Sequence, residues 1–255
     1  RCLVGSEMCI RDRKMRMYQY ERDDKKFMSP VFVIDNALPE DLLEEVLNKY
    51  PLDSFKKAKH ILSNDSLGAD NKVRTSKVLF IDEPQVDQFL FGHMHVANWH
   101  LALRYKMTGA EHTQLTAYEG GDIPGHYDWH VDGTNHHGDA RTPVFKEECN
   151  IIETNQHHLA GTVRKISCSV MLNDDFEGGE FQVRYLKYLD EDNPCVDQTD
   201  TFKAKRNQAI YFRSDLFHKV APVTKGVRYS LVKWFAGPPV VSVSYTHLRA
   251  HETSE

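Results

Sequence analysis

The chain has 255 residues, a formal net charge of -5 and 40% hydrophobic residues. This length and hydrophobic content predict one domain that is large enough to bury a core. The mild acidity argues against nucleic acid and anionic membrane surfaces as partners. No run approaches the roughly 18–20 apolar residues that a membrane-spanning helix needs. We therefore expect a single soluble domain.

The two ends differ in character from the rest of the chain. Residues 1–14 and 241–255 show no sustained helix or strand period, and both resemble translated sequencing-adapter read-through. We expect a non-native leader, a folded domain over residues 15–240 that starts near Met15 or Met17, and a non-native tail. Disordered native tails are the alternative.

Cysteine usage bears on the compartment. Beyond the atypical leader the chain has Cys149, Cys168 and Cys195, an odd number without CxxC spacing. This pattern argues against a disulfide framework or a zinc knuckle. Because disulfides are rare in the cytosol, it favours a reducing environment, and we expect a cytoplasmic protein.

The N-terminal part of the domain, about residues 30–110, is predicted to carry the helices. In chain order we expect a strand over 30–35, an amphipathic helix over 36–50, a loop over 56–71, a strand over 77–81 and a long helix over 85–107. Acidic residues in the first turn of the first helix and Pro51 after it are typical helix start and stop signals.

The region from about residue 113 to 238 has a different texture. Short β-type runs are predicted over 114–118, 126–132, 165–172, 179–185, 208–212 and 227–235. Several short strands separated by turn signals favour a sandwich or barrel over alternating βαβ units. The predicted fold class is therefore mainly β with flanking helices (α+β).

A polar segment over residues 133–161 is too long for a simple hairpin loop. We interpret it as an insertion that could fold over a site. Its histidines are interpreted as solvated loop residues, with a second metal site as the alternative; they are His136, His137, His157 and His158.

The most informative motif is the short sequence His130-Val-Asp132. On a strand, residues i and i+2 point to the same face, so an imidazole and a carboxylate could reach one ion. His218, on a later run, would complete a set of two histidines and one carboxylate. Such a set leaves three positions open on non-haem iron(II). We predict that His130, Asp132 and His218 are the metal ligands and form the catalytic centre.

A basic residue, Arg228, follows His218 on the next strand-like run. A guanidinium group can hold a carboxylate through two parallel hydrogen bonds. Two ligands, a long gap, a third ligand and then an arginine form a composite signal. It predicts a site that binds a carboxylate-bearing molecule beside a metal.

These motifs together resemble the prolyl 4-hydroxylase-type branch of the 2-oxoglutarate/iron(II) oxygenases. The resemblance covers roughly residues 31–238. It rests on VFVIDNALPEDLLEEV, on VRTS at residues 73–76, on the HVD segment, on RKISCSVMLNDDFEGGEF and, most specifically, on HKVAPVTKGVRYSLVKWF. It implies a double-stranded β-helix (jelly-roll) core with N-terminal helices outside. It also implies Fe(II), 2-oxoglutarate as cosubstrate and ascorbate as an optional cofactor.

The resemblance also bears on the assignment of the metal ligands. His126-Tyr-Asp128 is a second HxD motif in the same segment. The family pattern has the form Tyr-x-x-His-x-Asp, which Tyr127 completes for His130, whereas the rival motif would need a tyrosine where the chain has Ile123. We therefore prefer His130, and expect His126 to be a pocket or supporting residue.

Further roles follow only from the resemblance. Arg228 is expected to anchor the far carboxylate of 2-oxoglutarate, and Tyr118 to hydrogen-bond this cosubstrate. The cosubstrate would be decarboxylated to succinate while a substrate C–H bond is hydroxylated. Collagen-type members carry lysine at the position of Arg228, which weakens any specific claim about collagen-like substrates.

The resemblance leaves three functions open. The first is hydroxylation of a prolyl or other peptidyl side chain, with the peptide and O2 as partners. The second is oxygenation of a free amino acid, small metabolite or nucleobase. Nucleic-acid repair members carry a second arginine six residues after the first, where this chain has Trp234, so no nucleic-acid partner is expected. The third is a non-catalytic jelly-roll binding module, which is disfavoured because no ligand is lost.

Overall fold

A computed structural model describes residues 15–22, 25–58, 60–61, 67–68, 73–133, 159–187 and 196–239. The predicted leader and tail, most of the 133–161 insertion with its four histidines, Cys149 and Cys195 lie outside these residues. Neither α-helix in the described part of the chain is long and apolar enough to cross a membrane.

Strands dominate the described residues. In chain order the elements are β1 (Met15–Arg22), β2 (Lys25–Ile34), α1 (Glu40–Lys49), a 3-10 turn (Leu52–Ser54), β3 (Lys56–Lys57), β4 (His60–Ile61), β5 (Leu67–Gly68), β6 (Arg74–Thr75), β7 (Lys77–Ile81), α2 (Pro84–His100), β8 (Gly109–Ala110), β9 (Thr113–Glu119), β10 (His126–His130), β11 (Val163–Met171), β12 (Glu177–Gly178), β13 (Phe181–Lys187), β14 (Val196–Phe202), β15 (Ala209–Arg213), β16 (Phe217–Val220), β17 (Val223–Lys225) and β18 (Val227–Gly237).

Two antiparallel sheets form the core. The larger sheet has the order β1-β2-β15-β11-β18-β9-β7-β3, with β8 also paired to β18. The smaller sheet has the order β14-β13-β16-β10-β6. Every described pairing is antiparallel, and consecutive strands often lie in different sheets, which is the arrangement of a jelly roll. The predicted jelly-roll fold is confirmed.

The larger sheet buries both of its faces. On β2, Phe32 and Ile34 belong to an apolar cluster that also contains Leu43 of α1 and Leu90 of α2. The alternate residues Val31 and Val33 pack instead between the two sheets. This alternation follows from the two-residue period of a strand. The helices therefore cover one face of the larger sheet, and the smaller sheet covers the other.

The N-terminal part contains both predicted helices, but the second prediction extended too far. The helix expected over residues 85–107 ends at His100. The side chain of Asn98 accepts a hydrogen bond from the Tyr105 N–H and donates one to its carbonyl, at 3.0 and 2.9 Å. Ala102 and Arg104 take φ values near +53°, which a right-handed helix does not allow. These interactions end the helix at His100, although the apolar periodicity of the sequence continues beyond it.

Two further expectations need correction. The segment expected to be a loop over residues 56–71 contributes β3, β4 and β5. β1 and the first half of β2, residues 15–22 and 25–29, also form strands that were not predicted, whereas the predicted strands over 30–35 and 77–81 are the end of β2 and β7 of the larger sheet. Strand pairing satisfies the backbone hydrogen-bonding groups whatever the local side-chain pattern. The polar sequence over residues 56–71 therefore did not indicate these short strands.

Candidate active site

Three predicted ligands meet in the pocket between the sheets. Donor atoms of His130, Asp132 and His218 all lie within 4.8 Å of one another. His130 Nε2 is 3.8 Å from Asp132 Oδ1, and His218 Nε2 is 3.6 Å from Asp132 Oδ2. These separations leave room for one ion between three converging donors.

Strand pairing brings the two histidines together. His130 is the last residue of β10 and lies opposite His218 on β16, with their ring centroids 4.1 Å apart. His130 Nδ1 is 2.7 Å from the carbonyl of Asp128, and His218 Nδ1 is 2.8 Å from the carbonyl of Leu216. A carbonyl only accepts, so each Nδ1 carries the proton and each Nε2 keeps its lone pair for a cation.

Asp132 reaches the site by a route that the sequence did not predict. We expected a strand over residues 126–132, which would place His130 and Asp132 on one face. Instead β10 ends at His130, and Asp132 lies in the bend that follows. Its N–H donates to the carbonyl of Ser214 at 2.8 Å, and Ser167 Oγ donates to its Oδ2 at 2.6 Å. Contacts with distant residues position this carboxylate.

The protonation states suit a divalent cation. Burial and the neighbouring His218 lower the pKa of His130 to about 3. Burial acts to raise the pKa of Asp132, but His218, His130, Arg164 and the hydrogen bond from Ser167 together outweigh this effect and lower its pKa to about 2. At neutral pH the site therefore presents a neutral imidazole and an ionised carboxylate, which are the forms that bind metals.

A bulge in β10 decides which side chains face the pocket. Tyr127 pairs with Val220 and His130 with His218, so three steps on β10 match two on β16. Residues three positions apart on a regular strand point to opposite faces. Because the bulge adds one residue to β10, Tyr127 and His130 instead point to the same face, and both line the pocket. Their rings stack with centroids 3.5 Å apart.

The rival HxD motif lies outside the pocket. Asp128 is exposed, and neither it nor His126 is among the pocket-lining residues. His126 Nδ1 is 2.9 Å from the carbonyl of Pro124. The only cluster of three or more histidine, cysteine or acidic side chains that could hold a metal in the described part of the chain is that of His130, Asp132 and His218.

The predicted cosubstrate residues lie on the opposite sheet. Arg228 on β18 pairs with Tyr118 on β9, and both line the same pocket as the histidines. Arg228 is 1% exposed. Its Nε donates to the Gly179 carbonyl at 3.0 Å and its Nη1 to Ser230 Oγ at 3.1 Å. No carboxylate among the described residues pairs with this buried cation, and burial lowers its pKa.

Gly179 explains how the arginine fits. A Cβ at this position would lie 2.8 Å from Arg228 Cδ, and the residue has a φ of +67°. Only glycine meets both demands without strain. The turn at Gly178 and Gly179 therefore makes space for the Arg228 side chain and supplies a carbonyl to it.

Sequence reasoning missed several polar residues around Asp132. Arg164 makes a two-pronged ion pair with Glu111, at 2.5 and 2.8 Å, and its Nη1 lies 3.3 Å from the Asp132 carbonyl. Ser167 and Ser214 contact Asp132 directly. These residues are far apart in the sequence and belong to no motif, so only the fold brings them together.

The pocket mouth carries two more groups that could contact a substrate. The guanidinium of Arg74 lies 4.5 Å from the centre of the Tyr127 ring, and no carboxylate of the described chain pairs with it. Trp234 is 8% exposed, and its buried Nε1–H has no hydrogen-bond partner among the described residues. A buried indole N–H normally finds an acceptor, so this donor is an exception in the described part of the chain.

This donor set fits Fe(II) and 2-oxoglutarate. Two imidazole nitrogens and one carboxylate match the ligand type of non-haem iron sites that leave positions open for other molecules. A buried arginine without a carboxylate partner, in the same pocket, matches the need of a dicarboxylate. The residues expected from the sequence are thus together in one pocket.

Comparison with known protein families agrees with this chemistry. Residues 113–236 match the model of the 2OG-Fe(II) oxygenase superfamily. They contain every pocket-lining residue except Arg74. This match agrees with the resemblance to the 2-oxoglutarate/iron(II) oxygenases that the sequence motifs indicated. None of the curated proteins compared with the chain matches it.

Solved structures with a similar fold include prolyl hydroxylases. A prolyl hydroxylase from Trichoplax adhaerens, in complex with a hypoxia inducible factor oxygen degradation domain peptide fragment, has a TM-score of 0.53 and 19% identity over 81% of this chain and 83% of its own. A prolyl-4-hydroxylase from Pseudomonas putida has a TM-score of 0.51 and 18% identity over 82% and 93%.

A viral collagen prolyl hydroxylase from Paramecium Bursaria Chlorella virus-1, in its 2OG complex, has a TM-score of 0.50 and 15% identity over 82% of this chain and 97% of its own. At these identities the likeness concerns the fold. It confirms the resemblance to the prolyl hydroxylase branch at that level.

Proposed function

We propose that this chain is an Fe(II)- and 2-oxoglutarate-dependent dioxygenase in which His130, Asp132 and His218 hold the metal. The observation that carries the proposal is one pocket with two opposed parts. Three converging metal donors lie on one side, and Arg228, buried and without a carboxylate partner, lies on the other. The superfamily match of residues 113–236 supports the same reaction class.

The chain's own residues would bind and orient the cosubstrate. Arg228 donates hydrogen bonds to the far carboxylate of 2-oxoglutarate, and its fixed partners Gly179 and Ser230 hold the guanidinium in place. Tyr118, whose ring centre is 5.4 Å from the guanidinium carbon, lies beside this carboxylate as a hydrogen-bond donor. The keto-acid end then points toward the histidines.

When bound, Fe(II) would supply the activation of dioxygen, coupled to oxidative decarboxylation of 2-oxoglutarate to succinate and carbon dioxide. One oxygen atom of O2 enters succinate, and the other enters a substrate C–H bond. The surrounding apolar side chains Phe181, Phe212 and Val220 exclude bulk water from the site. Stacking of Tyr127 on His130 restricts the orientation of that ligand.

For the substrate we propose a prolyl or other peptidyl side chain. Three structural relatives are prolyl hydroxylases, and one of them is bound to a peptide fragment. Arg74 favours a second candidate, a free amino acid or small metabolite, because its guanidinium could hold a substrate carboxylate.

An anaerobic titration with Fe(II) and 2-oxoglutarate tests the reaction class. We expect a weak visible charge-transfer band that requires both additions. A chain that binds neither, or gives no band, would be a binding module rather than an oxygenase. Arg228→Met, which should still bind the metal, is the matched control for the cosubstrate contribution.

A substrate panel separates the two candidates. Succinate release from 2-oxoglutarate should rise with proline-containing peptides whose termini are blocked, if the substrate is peptidyl. Stimulation only by free amino acids, with loss in Arg74→Gln, would favour the second candidate. Running each assay with and without ascorbate tests that optional cofactor. Ascorbate dependence and a cytoplasmic location stay predictions from the sequence.

A further inference from the structure

Asp132 is held by one small group of buried hydroxyl and backbone groups. Ser167 Oγ, on β11, lies 2.6 Å from Asp132 Oδ2 and 2.9 Å from Ser214 Oγ. Both serines are completely buried. Ser214 follows β15, and its backbone carbonyl accepts hydrogen bonds from the N–H groups of Asp132 and Gly133, at 2.8 and 3.1 Å.

The direction of these hydrogen bonds can be worked out. An ionised carboxylate only accepts, and a serine hydroxyl has a single proton to donate. Ser167 must therefore give its proton to Asp132 Oδ2. It then has only lone pairs for Ser214, so the Ser214 hydroxyl must be the donor in that contact. The result is a chain of two hydrogen bonds that both point toward Asp132.

These two hydrogen bonds leave one oxygen of the Asp132 carboxylate free to bind a metal. Oδ2 accepts from Ser167, whereas no donor among the described residues contacts Oδ1. Oδ1 is 3.8 Å from His130 Nε2 and Oδ2 is 3.6 Å from His218 Nε2, so both oxygens face the histidines and the Ser167 hydrogen bond is what distinguishes them. Because Asp132 lies beyond the end of β10, no strand ladder fixes its backbone, and Ser214 takes over that task. Ser214 is itself anchored to β11, since its N–H donates to the Lys165 carbonyl at 3.0 Å.

We propose that Ser167 and Ser214 form a hydrogen-bond relay that orients Asp132 and presents Oδ1 to the metal. Both are positioning residues, since they act through Asp132. The inference rests on the proposed function, because it concerns the same metal site. It adds two residues that no motif identifies and an order of action, in which the Ser214 hydroxyl works only through Ser167.

Metal affinity tests the relay without the catalytic reaction. Fe(II) binding is measured anaerobically by calorimetry, and Co(II) binding by its visible absorption. Loss of a group that holds a metal ligand typically weakens binding by about 10–100-fold, which is the range expected for Ser167→Ala. Ser214→Ala should weaken binding less, because Ser167 can still donate. Ser167→Thr keeps the hydroxyl and should bind metal as the wild type does.

The double variant gives the most discriminating test of the relay. If the Ser214 hydroxyl acts through Ser167, Ser167→Ala combined with Ser214→Ala should bind metal no more weakly than Ser167→Ala alone. Multiplied effects of the two substitutions would overturn the relay. Ser29→Ala is the matched control, since Ser29 is a completely buried serine of the same sheet whose hydroxyl has no hydrogen-bond partner among the described residues. Its metal affinity should equal that of the wild type.

The outcomes separate this inference from the proposed function. Absence of metal binding in the wild type would contradict the metal site itself. Tight binding in the wild type and equally tight binding in Ser167→Ala would overturn the relay alone. Thermal unfolding of each metal-free variant reports folding. Should Ser167→Ala fail to fold, unchanged affinity in Ser214→Ala overturns the relay, and weakened affinity supports it.

Discussion

The space between the two sheets has an apolar half and a polar half. The apolar half is filled by side chains that are at most 9% exposed, among them Val31, Val33, Val183, Phe202 and Ile210. The polar half has the metal ligands on one side and, on the facing strands of the larger sheet, Gln114, Tyr118, Arg228 and Ser230. The same two sheets thus enclose both a packed core and a reactive pocket.

The boundary between the halves passes through the metal site. Phe181 and Phe212 belong to the apolar cluster and also line the pocket. Their ring centroids lie 5.6 and 4.7 Å from that of His218. Burial of polar groups costs free energy unless they are paired, so packing alone does not explain the polar half. The apolar half contributes stability, and the polar half contributes binding.

The largest expected effect comes from removing a metal donor in the polar half. His130→Ala should abolish Fe(II)-dependent 2-oxoglutarate turnover to the level of metal-free protein, because one of three ligands is lost. His126→Ala changes the rival histidine, which lies outside the pocket, and should reduce turnover only modestly. Turnover assays and metal titrations check both. The reverse ranking would move the site to His126 and Asp128.

Arg228→Met should separate binding from stability in the polar half. Loss of the guanidinium should raise the Kd for 2-oxoglutarate by about 100-fold, since removing one partner of a buried charge pair costs about 2–5 kcal/mol. Arg228→Lys keeps a point charge and should lose less.

The free energy of unfolding of Arg228→Met should change little. Relief from burying a charge opposes the loss of a partner for the Gly179 carbonyl, a cost of about 1–3 kcal/mol. Denaturant unfolding measures this quantity. A variant that binds 2-oxoglutarate normally would show that Arg228 is a structural residue.

The apolar half should give the opposite result. Phe202→Ala removes a ring that is 4% exposed and lies 6.1 Å from that of Phe181. It should lower the free energy of unfolding by about 3–5 kcal/mol. Leu186→Ala, on the paired strand but 71% exposed, is the control and should stay within about 0.5 kcal/mol. If Phe202→Ala still folds, its metal affinity should be that of the wild type; weakened metal binding would show that the two halves are coupled.

The smallest effect concerns pH and a thiol next to the pocket. Burial raises the pKa of Cys168 to about 12, from an ordinary value of 9.0. The folded chain therefore holds this proton where the unfolded chain loses it, and stability should fall as pH rises above about 9, by up to about 1.4 kcal/mol per pH unit. Cys168→Ala removes this contribution. A stability difference between the two proteins that does not vary from pH 8 to 10 would contradict it.

Much of the local structure could be predicted because it depends on local patterns. The apolar spacing of Leu42, Leu43 and Val46 predicted α1, and all three are buried. A short run of apolar and β-branched residues predicted β7 within its observed bounds, Lys77–Ile81. The end of α2 was missed because the side chain of Asn98 terminates it through contacts seven residues away. Short strands such as β16 lack enough residues to show a period.

The sequence by itself determined which donors the site would use. Two histidines, one aspartate and one arginine, placed in strand-forming segments, predicted His130, Asp132, His218 and Arg228 as one group, and these four residues share one pocket. Their chemistry belongs to the side chains and needs no knowledge of the fold.

The tertiary structure alone decided how these donors are presented. The extra residue in β10 turns Tyr127 and His130 to the same side, and the relay from Ser214 through Ser167 holds Asp132 outside any strand. These contacts join residues 35 and 47 positions apart. Hydrogen bonds between such distant segments depend on sheet register, and register is a property of the paired strands that no single segment encodes.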